Sequence, residues 1–323
     1  MNEKINFYQT KIGEIKTELK KVIIGQDKLI DVLIISLISG GHIILEGVPG
    51  LAKTLSIQTL AKTLDLHFSR ISFTPDLLPG DLIGGQIYNQ AESKFYTKKG
   101  PIFTNFLLAD EINRAPSKVQ SALLEAMQEK KITIADETFK LDNPFFVLAT
   151  QNPIEQEGTY NLPEAQLDRF LMKAIIDYPT ESEEIEIMKN YSKNQNILIN
   201  KVLSKKELLE LQTLIEENIF VDDKIYSYVK DLVFATRFPS NYSLENISQY
   251  ISYGVSPRAS IALIKTSKVY AFLNGREFVT PDDIKKMAYD CLRHRIGLTF
   301  EALGENINAD EIIEKILAGV IVP

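Results

Sequence analysis

Cysteine occurs once in the 323 residues, at Cys291, so no disulfide can close within the chain. Histidine occurs three times, at His42, His67 and His294, in no spacing that suits a metal ion. A run of about 18 uncharged apolar residues is missing, which argues against a membrane-spanning helix. Met1-Asn2-Glu3-Lys4 leads into a charged amphipathic segment rather than a signal peptide, and a cytoplasmic location is the expectation. Basic excess is missing as well. The net charge of −7 makes a nucleic-acid surface unlike the chain as a whole, although a local basic patch is compatible with it. Neither an internal repeat nor a low-complexity tract is present. What remains is ordinary globular composition, 45% hydrophobic and 24% charged, in a length that suits two domains.

Five short apolar segments punctuate the first half: His42 to Leu45, Phe68 to Ile71, Phe106 to Ala109, Phe145 to Ala149 and Ala174 to Ile176. Each suits a strand buried on both faces, and helical patterns lie between most of them. That alternation predicts an open α/β sheet with its ligand at the carboxyl ends of the strands. Beyond Tyr178-Pro179-Thr180 helical patterns take over, at Glu181 to Tyr191, Ser204 to Glu216, Asp222 to Thr236, Pro257 to Asn274 and Pro281 to Arg293. Thr280-Pro281-Asp282-Asp283 is a well-formed helix start, with a cap residue, then proline, then acids. The expected division is therefore 1–179 and 180–323. Cys291 falls within the last helical pattern and reads as a packing residue.

Gly47-Val48-Pro49-Gly50-Leu51-Ala52-Lys53-Thr54 follows the first strand and opens a helix from about Lys53 to Leu64. Strand, glycine-bearing loop, lysine and helix in that order suit a triphosphate, which needs converging backbone N–H groups and a cation. Gly47 and Gly50 permit the turn, Lys53 reaches the outer phosphates, and Thr54 is placed to ligate magnesium. Ala52 stands where the general pattern has glycine; we expect it to be entering the helix already, where positive φ is not needed. A second constellation ends the third strand: Asp110 suits magnesium and Glu111 suits the polarisation of an attacking water. Alone, the two acids could equally be solvated strand-end carboxylates. The fourth strand ends in Thr150-Gln151-Asn152-Pro153, where Asn152 could orient a nucleophile or merely serve the turn before proline. Arg169, ahead of the last strand, is either a surface arginine or one projecting into a neighbouring subunit.

Taken together, GVPGLAKT, LLADEINRAPSKVQSALLEAMQE, FFVLATQNPIEQEGTYNLPEAQLDRF, SPRAS and CLRHRI resemble the MoxR family of AAA+ ATPases over nearly the whole chain. In that family alanine before the Walker A lysine is usual. The resemblance implies a P-loop NTPase core, a five-stranded parallel sheet flanked by helices, followed by a smaller all-α lid domain. It assigns Lys53 and Thr54 to Walker A, Asp110 and Glu111 to Walker B, and Asn152 to sensor 1. It makes Arg169 an arginine finger acting in trans and Arg258 the sensor 2 arginine at the start of a lid helix. Ile24, Gly25 and Gln26 match the adenine-side segment. The implied activity is magnesium-dependent ATP hydrolysis in a homo-oligomeric ring, a hexamer, that remodels or matures a client protein. Proteins with von Willebrand factor A domains and metalloenzymes are the implied clients. A magnesium-chelatase-like motor and a nucleic-acid remodeller are the alternatives.

Two further segments alternate apolar and polar residues in hairpin fashion: about 84–97, with Ile87, Tyr88, Phe95 and Tyr96, and about 131–141, with Ile132, Ile134, Phe139 and Leu141. They either project to meet a partner or extend the sheet.

Overall fold

The structure is a computed structural model that describes residues 2–48, 50–152, 160–191 and 197–323. Two helices, α1 (Asn2–Lys20) and α2 (Asp27–Ile38), precede the first strand, β1 (Ile43–Glu46). Then come α3 (Lys53–Thr63), β2 (Phe68–Ser72), α4 (Pro79–Ile83) and the hairpin β3 (Gly84–Asn89) and β4 (Lys94–Lys99). β5 (Phe106–Asp110), a 3-10 turn at Ile112–Arg114 and α5 (Ser117–Glu129) lead into a second hairpin, β6 (Lys131–Ile134) and β7 (Glu137–Lys140). β8 (Phe146–Gln151), α6 (Glu164–Leu167) and β9 (Met172–Ile175) complete this half.

Five of these strands form one parallel sheet in the order β2-β5-β8-β1-β9. Successive side chains of a strand point to opposite faces, and the core sorts by that rule. Ile43, Leu45, Phe106, Leu108, Phe146 and Leu148 join one apolar cluster, while Ile44, Leu107, Ala109, Val147 and Ala149 join another. β2 departs from the expectation of burial on both faces: only Ile71 of this strand is buried, because β2 lies at the edge of the sheet and pairs, among the described strands, with β5 alone.

Neither hairpin extends the sheet; each is a separate two-stranded unit. β6–β7 seats Ile132 and Ile134 on the second cluster, whereas β3–β4, which runs to Lys99, leaves Ile87, Tyr88, Phe95 and Tyr96 exposed.

The remainder consists of α7 (Glu181–Tyr191), α8 (Lys205–Asn218), α9 (Asp223–Arg237), α10 (Glu245–Ser248), α11 (Pro257–Leu273), α12 (Pro281–Leu292), α13 (Phe300–Gly304) and α14 (Ala309–Gly319). The helices start where the sequence places cap residues. Ser204 accepts from the Glu207 amide, and Thr280 and Asp283 cap α12 reciprocally, with Arg276 clamping Asp283 at 2.5 and 2.6 Å. The all-α expectation needs one amendment, a short antiparallel pair of β10 (Ile251–Tyr253) and β11 (Gly297–Leu298). α8, α9, α11, α12 and α14 contribute to the same apolar cluster as α1, α2, α3 and one face of the sheet. No helix among the described residues is long and apolar enough to cross a membrane.

Candidate functional site

A cavity of about 390 Å³ opens at the carboxyl ends of β1, β5 and β8, lined by Gly47, Gly50 to Leu55, Arg70, Asp110, Glu111 and Thr150 to Asn152. Parallel strands deliver their last residues to one edge, so segments some 40 to 60 residues apart in sequence converge there.

Gly47 is needed for close approach: a Cβ there would lie 2.7 Å from the carbonyl oxygen of Ile176. Gly50 takes φ +88, a conformation that favours glycine. Ala52 overturns the sequence reading. It is not yet helical but caps α3 with φ 55 and ψ 18, in the left-handed region. The loop reverses there so that α3 can begin at Lys53, and this is the conformation for which the general motif places glycine. Ala52 holds it through its carbonyl, which accepts from the amide and the hydroxyl of Ser56, both at 2.9 Å. Lys53 Nζ donates to the Gly47 carbonyl at 2.5 Å, and burial lowers its pKa against the opposing pull of Asp110, Glu111 and Glu46. Val48 packs on the first cluster instead of lining the cavity, and Pro49 lies outside the described residues.

Asp110 ends β5 and Glu111 turns away with φ 56, so both carboxylates line one cavity although they are adjacent in sequence. Buried Thr150 braces the pair: its hydroxyl donates to Asp110 Oδ1 at 2.7 Å and accepts from the Glu111 amide at 2.8 Å. Arg70, from β2, meets Asp110 Oδ2 at 2.6 Å, and Arg114 meets Glu111 at 3.1 Å. Asn152 is buried in the same wall. Arg70 and Thr150 were not singled out from the sequence; the only hints were a charge and a hydroxyl next to strand-end residues.

The donor set fits magnesium. A hydroxyl from Thr54 and a carboxylate from Asp110 are hard oxygen ligands, and Mg²⁺ bound with a nucleotide takes few ligands from protein. Among the described residues no group of three or more His, Cys, Asp or Glu could hold a metal ion.

Ile24, Gly25 and Gln26 are not in the cavity wall. They lie beside the chain that leaves β9: Gln26 Nε2 donates to the Asp177 carbonyl at 3.1 Å, and the Glu183 side chain fills the space a Gly25 Cβ would need.

Arg169 and Arg258 are likewise outside the phosphate cavity. They line a separate cavity of about 220 Å³ with Asp168 and Arg295. Asp168 is its hub: it accepts from Ser256 Oγ at 2.9 Å, Arg295 Nε at 2.8 Å and Arg258 Nη1 at 3.3 Å. Arg295 is buried and also donates to the Leu171 and Phe170 carbonyls, so it ties α12 to the start of β9. Burial lowers its pKa, and Asp168 opposes that. Arg169 precedes β9 while Ile176, packed on Gly47, follows it. The two sites therefore lie at opposite ends of a four-residue strand, roughly 13 Å by ordinary strand rise. Cys291 is buried, and burial raises its thiol pKa to about 11, consistent with a packing role.

Known proteins match at each level. The profile of the ATPase family associated with various cellular activities (AAA) covers residues 42–172, and that of the AAA lid domain covers 244–316. Chaperone MoxR1 of Mycobacterium tuberculosis is 46% identical over 306 residues, 95% of this chain and 81% of that one. Protein YeaC of Bacillus subtilis is 43% identical, over 97% and 95% of the two chains. The crystal structure of a proposed ATPase from Cytophaga hutchinsonii superposes with a TM-score of 0.94 at 54% identity, covering 100% of this chain and 98% of the other. Magnesium-chelatase subunits are more distant, at 25% identity. With 46% identity to Chaperone MoxR1 over 95% of its length and both the AAA and the AAA lid profiles matched, the chain belongs to the MoxR family of AAA+ ATPases.

Proposed function

We propose that the chain hydrolyses ATP in a magnesium-dependent reaction within a closed head-to-tail ring, a hexamer, and uses the turnover to remodel or mature a client protein. The observation that carries this reading is the separation of parts. The phosphate loop with Asp110 and Glu111 sits at one end of β9, and Arg169 with Arg258 sits at the other. Arginines so placed serve phosphate only in a neighbour, and such heterologous contacts close into a ring when the rotation allows.

In this mechanism the loop amides and Lys53 hold the β- and γ-phosphates, and Asn152 orients the attacking water. Glu111 takes the proton of that water as it attacks the γ-phosphorus and the bond to ADP breaks. Thr54 and Asp110 would hold magnesium, which supplies charge neutralisation on the phosphate oxygens. Arg169 and Arg258 of the adjacent subunit offset the charge that develops in the transition state. A finger arginine is worth roughly 10³ to 10⁵ in rate, so isolated subunits should be slow. Ile24, Gly25 and Gln26 would border the base from the side of the loop. The exposed Ile87, Tyr88, Phe95 and Tyr96 of β3–β4 are the surface for a client, and a relative carrying the name chaperone supports that role. A von Willebrand factor A domain protein or a metalloenzyme is the proposed client class, met in the cytoplasm.

The test is complementation. Arg169→Ala and Lys53→Ala chains, each inactive alone, should regain part of the ATPase rate when mixed; absence of rescue despite co-assembly rejects the trans role. Glu111→Gln should retain ATP without turning it over, and normal turnover would reject the base assignment.

A further inference from the structure

A groove of about 590 Å³, larger than the phosphate cavity, lies between the carboxyl end of α2, α8 and α11. Its floor is apolar, with Ile215, Ile264 and Val269, and its rim carries Lys130, Lys265 and Lys268 against one acid, Glu216. Lys268 donates to the Glu216 carbonyl at 2.7 Å, whereas Lys130 and Lys265 are exposed and make no ion pair among the described residues. Lys130, Ile261 and Lys265 also line the cavity of Arg169 and Arg258, so the groove belongs to the same face as those arginines.

α7 stands at the other end of β9. It has no buried residue, and among the described residues its half-buried positions are Glu183 and Ile187, with Tyr191 Oη donating to the Val22 carbonyl. A lone helix of 11 residues is marginal in water, so its stability calls for packing on more than one side. Its outward face presents Ile185 and Met188, 48% and 58% exposed, at the i, i+3 spacing of neighbours on a helix. Glu181 and Glu184 flank them, and the helix carries four glutamates against one lysine. The apolar pair framed by acid on α7 is thus complementary in character to the apolar floor framed by lysine.

We propose that α7 of one subunit docks into this groove of the next, with Ile185 and Met188 on the apolar floor and Glu181 and Glu184 toward Lys130 and Lys265. The occupant is a second copy of this chain. The inference rests on the head-to-tail reading, which brings the arginine end of β9 in one subunit against the phosphate end in the next. Charge complementarity selects the register, and the apolar pair supplies the buried contact.

Two measurements on the full chain test it. Met188→Cys and Ile261→Cys chains, mixed with ATP and a short flexible bismaleimide, should give a cross-linked dimer that neither variant gives alone; Cys291 is buried and should not compete. Lys130→Glu with Lys265→Glu should raise the protein concentration for half-assembly about tenfold, and adding Glu181→Lys with Glu184→Lys in the same chain should restore it to within about threefold. The Arg169→Ala and Lys53→Ala mixture reports the ring independently. If that mixture regains activity while the cysteine pair stays unlinked and the charge reversals leave assembly unchanged, the docking is wrong and the ring stands. If the unmodified chain neither assembles with ATP nor complements, both fall.

Discussion

Replacing alanine by glycine inside a helix costs about 1 kcal/mol, yet Ala52→Gly should be close to neutral here. Ala52 holds φ 55 and ψ 18, and an L-residue pays about 1–2 kcal/mol for that conformation whereas glycine adopts it freely. Against this gain stand two losses. Glycine gives the unfolded chain more freedom, about 0.4–1 kcal/mol, and the partly buried methyl of Ala52 forfeits contacts with the first cluster, about 0.5 kcal/mol. The net lies between a loss of about 0.5 kcal/mol and a gain of about 1 kcal/mol. Ala61→Gly, in the buried interior of the same helix, is the control and should lose at least about 1 kcal/mol. Urea unfolding followed by circular dichroism measures both; the chain lacks tryptophan, so its intrinsic fluorescence is a poor alternative. An Ala52→Gly chain that loses as much as Ala61→Gly would refute the account of the loop.

Thr150→Val removes one hydroxyl that serves both Asp110 and the Glu111 amide; about 2–3 kcal/mol of stability and more than about tenfold in turnover should be lost, whereas Thr150→Ser should keep most of both. Arg70→Met breaks a half-exposed pair with Asp110, so unfolding should change by less than about 1 kcal/mol while turnover falls about tenfold, measured in the same preparations. His42 is buried and neutral, accepting from the Val147 amide at Nδ1 and donating to the Met127 carbonyl from Nε2, and burial lowers its pKa to about 4. Because the folded value lies below the unfolded 6.5, the unfolded chain binds the proton first as pH falls. Stability is lost between pH 6.5 and 4, by on the order of 3 kcal/mol, and urea midpoints of His42→Gln should fall less over that window than those of the unmodified chain.

The sheet was legible because its strands are short apolar runs, and the helices after Thr180 because their caps and periodicity are explicit. The carboxylate pair was legible because a strand ending in Asp110-Glu111 downstream of a phosphate loop has few other uses. Ala52 was misread since its left-handed turn comes from the geometry of the loop, which residue type alone does not disclose. Arg70 and Thr150 act on Asp110 from 40 residues away in either direction, and Asp168 meets Arg295 across 127. Side chains that work by meeting across strands or between halves of the chain leave no local pattern. The same holds for Ile24, Gly25 and Gln26, whose neighbours, Asp177 and Glu183, belong to a segment far downstream.

The long-range bonds of α1 have a consequence for synthesis. Ile5, Tyr8, Ile12 and Ile15 are buried in α1, and this helix bonds to residues made much later: Tyr8 Oη donates to Glu210 at 3.1 Å, and Gln9 Nε2 to the Phe272 carbonyl at 3.0 Å. At about 5–20 residues per second a ribosome needs tens of seconds, at the slower end, to cover the 263 residues between Gln9 and Phe272. α1 thus emerges well before the later segments that bond to it at Tyr8 and Gln9.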